Sequence, residues 1–185
     1  MVTSICVYLG AYHGNDELFQ TSVQLTALEI AKKGFTLVYG GSSLGLMGLL
    51  ANTVKACGGR TVGVITNQLI QKEKPLSTLD ELHIVNTMQE RKQFMQQKAD
   101  MFLVMPGGLG TLEEAFDTWN AIKIGLFDKP IGFLNVAGYF DDLFKFILSC
   151  KNYGFVSDNH CTIPKMSSNI TELLTEMIST SLVST

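Results

Sequence analysis

The sequence predicts an α/β fold, a doubly wound parallel sheet with helices on both faces, in a single domain over residues 1–185. Short β-branched runs alternate with longer segments of helical period, and no repeat, low-complexity stretch or linker divides them. Parallel strands need crossover connections that cover the sheet, so alternating units of this length imply helices on both sides. The length of 185 residues is also that of one domain with a sizeable core. The first strand is expected at 5–9 (Ile-Cys-Val-Tyr-Leu) and leads to a helix at 16–33; the second, at 35–39 (Phe-Thr-Leu-Val-Tyr), leads to a helix at 46–57. Strands at 61–65 and 82–85 follow, then a helix at 88–98, a strand at 101–105 (Met-Phe-Leu-Val-Met) and a helix at 112–124. A strand at 131–134, a helix at 139–148 and a last helix from 170 to about 182 complete the pattern, and the small polar residues 179–185 read as a tail that frays.

Composition removes several function classes. Lys and Arg number 14 against 17 Asp and Glu, a net charge of −3, which leaves no cationic excess for coating a nucleic acid. Charged residues are only 17% of the chain, a hint that another subunit covers part of the surface. No apolar run reaches the roughly 18 residues of a membrane span, and no basic leader with a cleavage site is present, so a cytoplasmic protein is expected. Cys6, Cys57, Cys150 and Cys161 form no C-x-x-C pair, and His13, His83 and His160 have no ligand spacing. These cysteines read as buried thiols in a reducing compartment, with no metal site and no disulfide framework.

In a sheet of this type ligands bind beyond the carboxyl ends of the strands, which directs attention to the loops after Tyr39 and Met105. The first reads Gly40-Gly41-Ser42-Ser43-Leu44-Gly45-Leu46-Met47-Gly48, the second Pro106-Gly107-Gly108-Leu109-Gly110-Thr111-Leu112-Glu113-Glu114. Each puts residues without side chains where a strand turns into a helix, so main-chain N–H groups can approach an anion; a phosphate fits either. Neither is a P-loop, because Leu46 and Met47 stand where Lys and Ser or Thr would grip phosphate and magnesium. Leu9-Gly10-Ala11-Tyr12-His13-Gly14 after the first strand is not a dinucleotide fingerprint.

Thr111-Leu112-Glu113-Glu114 fits a capping box with Thr111 as N-cap and Glu114 reaching back. The competing reading faces the carboxylates toward a sugar, since negative charge at a phosphate-binding helix start would repel the anion. Adjacent helical residues diverge by about 100°, so Glu113 and Glu114 cannot flank one bond as a glycosidase pair. Arg91 and Lys92, at the start of the helix after the fourth strand, suit a phosphate equally as they suit a solvated basic face.

Together these elements resemble the Lonely Guy family of cytokinin-activating phosphoribohydrolases, whose members were often labelled lysine decarboxylases. The resemblance rests on Val38-Tyr39-Gly40-Gly41 with Gly45-Leu46-Met47-Gly48, on Met88 with Glu90-Arg91-Lys92, and on the P-G-G-x-G-T-x-x-E signature from Pro106 to Glu114. Asp128-Lys129-Pro130 and Asn135-x-x-Gly138-Tyr139 match later family segments. The resemblance implies a Rossmann-like homodimer that cleaves the N-glycosidic bond of an adenosine 5′-monophosphate, giving free base and ribose 5-phosphate, without a cofactor or metal. It places the essential arginine and glutamate at Arg91 and Glu114. Substrate contacts are implied at Gly41, Gly45, Glu73, Met88, Arg91, Lys92, Gly107, Gly108, Leu109, Gly110, Thr111, Leu112, Glu113 and Asn120. Four positions depart from the family pattern: Ala11 replaces a serine, Ser42 the third glycine of G-G-G, and Asn120-Ala121 a Thr-Trp pair.

The residue chemistry agrees with such a reaction. Separating a base from ribose builds positive charge on the sugar and negative charge on the base, and a carboxylate beside the sugar stabilises the former. Glu114 is expected to do this and to orient water, while Arg91 binds phosphate or ribose and favours departure of the base. Two rival readings are a broader purine-nucleotide nucleosidase and a non-catalytic nucleotide sensor. Lysine decarboxylation is disfavoured, since no lysine is recognisably placed to form a pyridoxal Schiff base. Ala115, Phe116, Trp119 and Ile122 recur at helical spacing and mark either core or a subunit contact.

Overall fold

The computed structural model describes residues 2–183. Seven parallel strands form one sheet in the order β4-β3-β2-β1-β5-β6-β7. They are β1 (Ser4–Tyr8), β2 (Thr36–Tyr39), β3 (Thr61–Thr66), β4 (Glu81–Val85), β5 (Met101–Val104), β6 (Ile131–Leu134) and β7 (Lys165–Ser167). The helices are α1 (Glu17–Lys32), α2 (Gly45–Ala56), α3 (Asn67–Ile70), α4 (Met88–Lys98), α5 (Leu109–Lys123), α6 (Asp141–Asn152), α7 (Asp158–Cys161) and α8 (Ile170–Val183). Among the described residues no helix is long and apolar enough to cross a membrane.

Side chains alternate across each strand, and this sorts the core into two layers. Ile5, Val7, Leu37, Tyr39, Leu103 and Leu134 face α1, α2 and α8, where Ile30, Leu50 and Leu173 are fully buried. Cys6, Tyr8, Val38, Phe102, Val104 and Phe133 face the opposite layer, meeting Met95 of α4 and Ala115 and Trp119 of α5. Ala115 and Trp119 are therefore core, whereas Phe116 keeps 37% of its surface exposed. The chain leaves β1 toward β2 on one side and reaches β5 on the other, so the order reverses beside β1. A crevice opens there, at the carboxyl ends of β1 and β5.

Several expectations need correction. The helix expected from 112 begins at Leu109, because Gly107 and Gly108 already make the turn out of β5. Strand β7 has three residues, Lys-Met-Ser, too few for a periodic signal, and it sits at the sheet edge. The last helix, expected to end near 182, runs to Val183; residues 184–185 of the expected tail lie outside the described residues. Of the cysteines only Cys6 is buried; Cys57 is exposed, and Cys150 and Cys161 are partly exposed.

Candidate active site

The site grows from the second glycine loop. Helix α5 starts with Gly108 as N-cap, which has no side chain to cap the helix. The N–H groups of Gly108, Leu109, Gly110 and Thr111 donate to no group among the described residues. A β-carbon at Gly108 or Gly110 would meet nothing within 4 Å, and Gly108, Leu109, Gly110 and Thr111 all border one cavity. Gly107, by contrast, is pressed against its neighbours: a β-carbon there would lie 2.1 Å from Thr111 Oγ1 and 2.7 Å from the Gly10 nitrogen. The Gly10 N–H donates to the Pro106 carbonyl at 3.1 Å, which joins the β1 and β5 loops.

The first glycine loop does different work. A β-carbon on Gly40 would sit 2.1 Å from Arg91 Nη2 and 2.3 Å from Met47 Cε, and one on Gly45 would sit 2.3 Å from the Ala11 carbonyl carbon. These glycines let side chains and a neighbouring loop approach closely, and the space above them is filled. The two expected phosphate loops thus differ in the space at their glycines, open at Gly108 and Gly110 and filled at Gly40 and Gly45.

Below those donors lies Glu114, which is 8% exposed. Arg91 Nη1 donates to Glu114 Oε1 at 2.9 Å, while Nε donates to the Val64 carbonyl at 2.9 Å and Nη2 to that of Gly40 at 3.2 Å. Three protein acceptors thus fix the guanidinium, and the guanidinium fixes the carboxylate. Burial pushes the Glu114 carboxyl above its ordinary pKa, and Arg91 offsets this only in part. The neighbouring pair diverges outward: Lys92 Nζ binds Glu113 Oε1 and, at 3.3 Å, Asp117 Oδ1. Consecutive residues on α4 and α5 therefore form two ion pairs, one inside and one outside.

The capping-box reading of Thr111 and Glu114 is wrong, since Thr111 is the third residue of α5 and Glu114 the sixth. The same motif operates one helix earlier. Thr87 Oγ1 accepts from Glu90 N at 3.1 Å, and Glu90 Oε2 accepts from Thr87 N at 3.3 Å, closing a capping box on α4 that helps place Arg91.

Around Glu114 and Arg91 lies a cavity of about 520 Å³, within the range of small-molecule sites. Three comparisons bear on its meaning. The family described as "Possible lysine decarboxylase" matches residues 47–177. The chain is 41% identical to a cytokinin riboside 5′-monophosphate phosphoribohydrolase of Mycobacterium tuberculosis, over 83% of this chain and 82% of that protein. It is 36% identical to one of Arabidopsis thaliana, over 94% of this chain and 76% of that protein. The chain belongs to the Lonely Guy family. A molybdenum-cofactor carrier protein of Chlamydomonas reinhardtii superposes with a TM-score of 0.73 at 19% identity, over 98% of this chain and 99% of that one, a likeness of fold alone.

The family residues divide cleanly by position. Glu73, Met88, Arg91, Gly107, Gly108, Leu109, Gly110, Thr111 and Glu114 line the cavity. Gly41, Gly45, Lys92, Leu112, Glu113 and Asn120 lie outside that lining. Gly41 abuts the main chain of β3, and Leu112 joins the core; Asn120 lies in a separate groove with Phe116, Trp119 and Phe155. The departures at Ala11 and Ser42 also have distinct settings. Ala11 lines the cavity, whereas Ser42 is fully buried and its Oγ accepts from Leu44 N at 3.1 Å.

Sequence reasoning missed the β1 loop, where Tyr12, His13 and Gly14 form one wall with Phe19, and it missed Leu69 and Tyr139. The glycines at 10 and 14 and the departure at Ala11 are the sequence signals that mark this loop. Among the described residues no lysine lines the cavity.

Proposed function

We propose that this protein hydrolyses the N-glycosidic bond of adenosine 5′-monophosphate-type nucleotides, releasing the base and ribose 5-phosphate. One observation carries the reading: a buried carboxylate, fixed by a buried arginine, lies beneath a row of unpaired main-chain donors at a helix start. The donors from 108 to 111 and the positive end of α5 hold the 5′-phosphate. Phosphate binding fixes the ribose over Glu114, converting remote binding energy into position at C1′. As the bond from C1′ to the base nitrogen lengthens, its electron pair leaves with the base and positive charge develops on the ribose. Glu114 stabilises that charge and orients a water whose oxygen bonds to C1′. The proton lost by water balances the proton gained by the base. Arg91 holds Glu114 in this role, since three of its nitrogens are already engaged by protein acceptors.

The deciding experiment is incubation with AMP, GMP and isopentenyladenosine monophosphate, followed by separation of base from ribose 5-phosphate. Release from the adenine nucleotides supports the reading. Equal release from GMP replaces it with a broad purine nucleosidase, and tight binding with no free base replaces it with a nucleotide sensor.

A pH dependence follows from Glu114. The reaction needs the ionised carboxylate, and burial holds its pKa above the usual carboxylate range. The acid limb of kcat/KM is therefore expected above that range in wild type and absent from residual turnover of Glu114→Gln. Stability has the opposite sign. Between the ordinary and the raised pKa the folded state binds more protons than the unfolded chain, so this group's contribution falls as pH rises through that window. Urea unfolding of wild type and Glu114→Gln across pH checks it.

We also propose a cytoplasmic homodimer. Phe146, Tyr153 and Phe155, on and just after α6, are 65%, 80% and 84% exposed, and Leu126 after α5 is 70% exposed, a load of apolar surface that a second copy would cover. Light scattering is expected to give twice the 20.3 kDa chain mass, and a monomeric mass refutes it.

A further inference from the structure

The segment after β6, Asn135-Val136-Ala137-Gly138-Tyr139, has no part in the chemistry above, yet its backbone is unusual. Ala137 has φ 51° and ψ 29°, the single described residue other than glycine with positive φ, and Gly138 follows at φ 73°. An L-residue in the left-handed region is held there only by its surroundings. Asn135 supplies the brace: its Oδ1 accepts from Phe140 N at 2.8 Å and its Nδ2 donates to Asp141 Oδ1 at 2.7 Å. Phe140 is buried and packs edge-on against Phe133.

The result of this turn is the position of Tyr139. Its hydroxyl donates to the Gly107 carbonyl at 2.7 Å, and its ring meets Phe19 of the β1-loop wall edge-on at 5.7 Å. The Gly107 carbonyl and the Gly108 N–H belong to one planar trans peptide and point in opposite directions. Fixing the carbonyl therefore fixes the first donor of the phosphate row. Two consecutive glycines would otherwise let that peptide rotate at little cost. We infer that Tyr139 is a positioning residue, which aims the Gly108 N–H by clamping the far side of its peptide.

This inference rests on the phosphate-binding reading of the 108–111 donors, and the experiment separates the two. Tyr139→Phe removes the hydroxyl and keeps the ring against Phe19. AMP and adenosine binding are measured by calorimetry, and kcat and KM for AMP by adenine release, in wild type and variant. The expected result is about tenfold weaker AMP binding and a matching rise in KM, with kcat within about twofold. Adenosine, which has no phosphate, is expected to bind both proteins alike. A loss shared equally by AMP and adenosine, or a variant indistinguishable from wild type, overturns the role of Tyr139 while leaving the activity intact. Wild type that releases no adenine and binds AMP no better than adenosine overturns the underlying reading itself.

Discussion

Glu114→Gln is expected to lower base release from AMP by at least about 10³-fold while changing the AMP dissociation constant by less than about threefold. The substitution is nearly isosteric, and the amide oxygen of Gln can still accept from Arg91 Nη1, which holds the carboxylate at 2.9 Å. What disappears is the negative charge. In the ground state the ribose is neutral, so losing that charge costs little binding; in the transition state the ribose is cationic and loses its counter-charge in a site shielded from water. Stability is a control on this reading. Ionised Glu114 bears a desolvation cost that Gln does not, while Arg91 loses part of its compensation, and these effects oppose each other. A variant that keeps its unfolding midpoint and AMP affinity but loses turnover isolates the charge. Wild-type rates of adenine release from Glu114→Gln would remove Glu114 from the chemistry.

The extent to which the sequence was legible follows from the range of each interaction. Continuous apolar runs such as Met101-Phe-Leu-Val fixed the buried strands closely, because a strand buried on both faces has little freedom in composition. The start of α5 was harder. Thr111 and Glu114 satisfy the capping-box spacing, but Gly107 and Gly108 had already turned the chain, and no local pattern weighs one against the other. Arg91 and Glu114 were legible as residue types, and the divergence of neighbours on a helix was foreseen for Glu113 and Glu114. That Arg91 and Lys92 would part in the same way, one toward Glu114 and one toward Glu113 and Asp117, depends on the packing of α4 against α5. The role of Gly40 was equally hidden. A glycine that admits the guanidinium of Arg91, distant by 51 positions, looks in sequence like a glycine that admits a phosphate.

Arg91→Ala is expected to have the largest effect on stability, a loss of about 3–5 kcal/mol, because it strands a buried carboxylate without its counter-charge. In a chain of this size that corresponds to a fall of about 10 °C in the unfolding midpoint. Three acceptors lose their donor at once: the carbonyls of Val64 and Gly40 and the carboxylate of Glu114. Turnover also falls, since Glu114 loses both its orientation and the interaction that favours its charged form. A cycle with Glu114→Gln separates these contributions. If the stranded charge is the principal cost, the double variant is more stable than Arg91→Ala alone, although it carries one more substitution. The same logic fixes a pH trend: without Arg91 the carboxyl pKa rises further, so the stability deficit of Arg91→Ala narrows as pH falls and Glu114 is neutralised. Arg91→Lys tests geometry apart from charge, since an ammonium is a point charge and cannot reproduce the planar fork that reaches Val64, Gly40 and Glu114 together. Equal stability of the double variant and Arg91→Ala, with a deficit independent of pH, would instead assign the cost to the lost carbonyl partners and leave Glu114 held by other means.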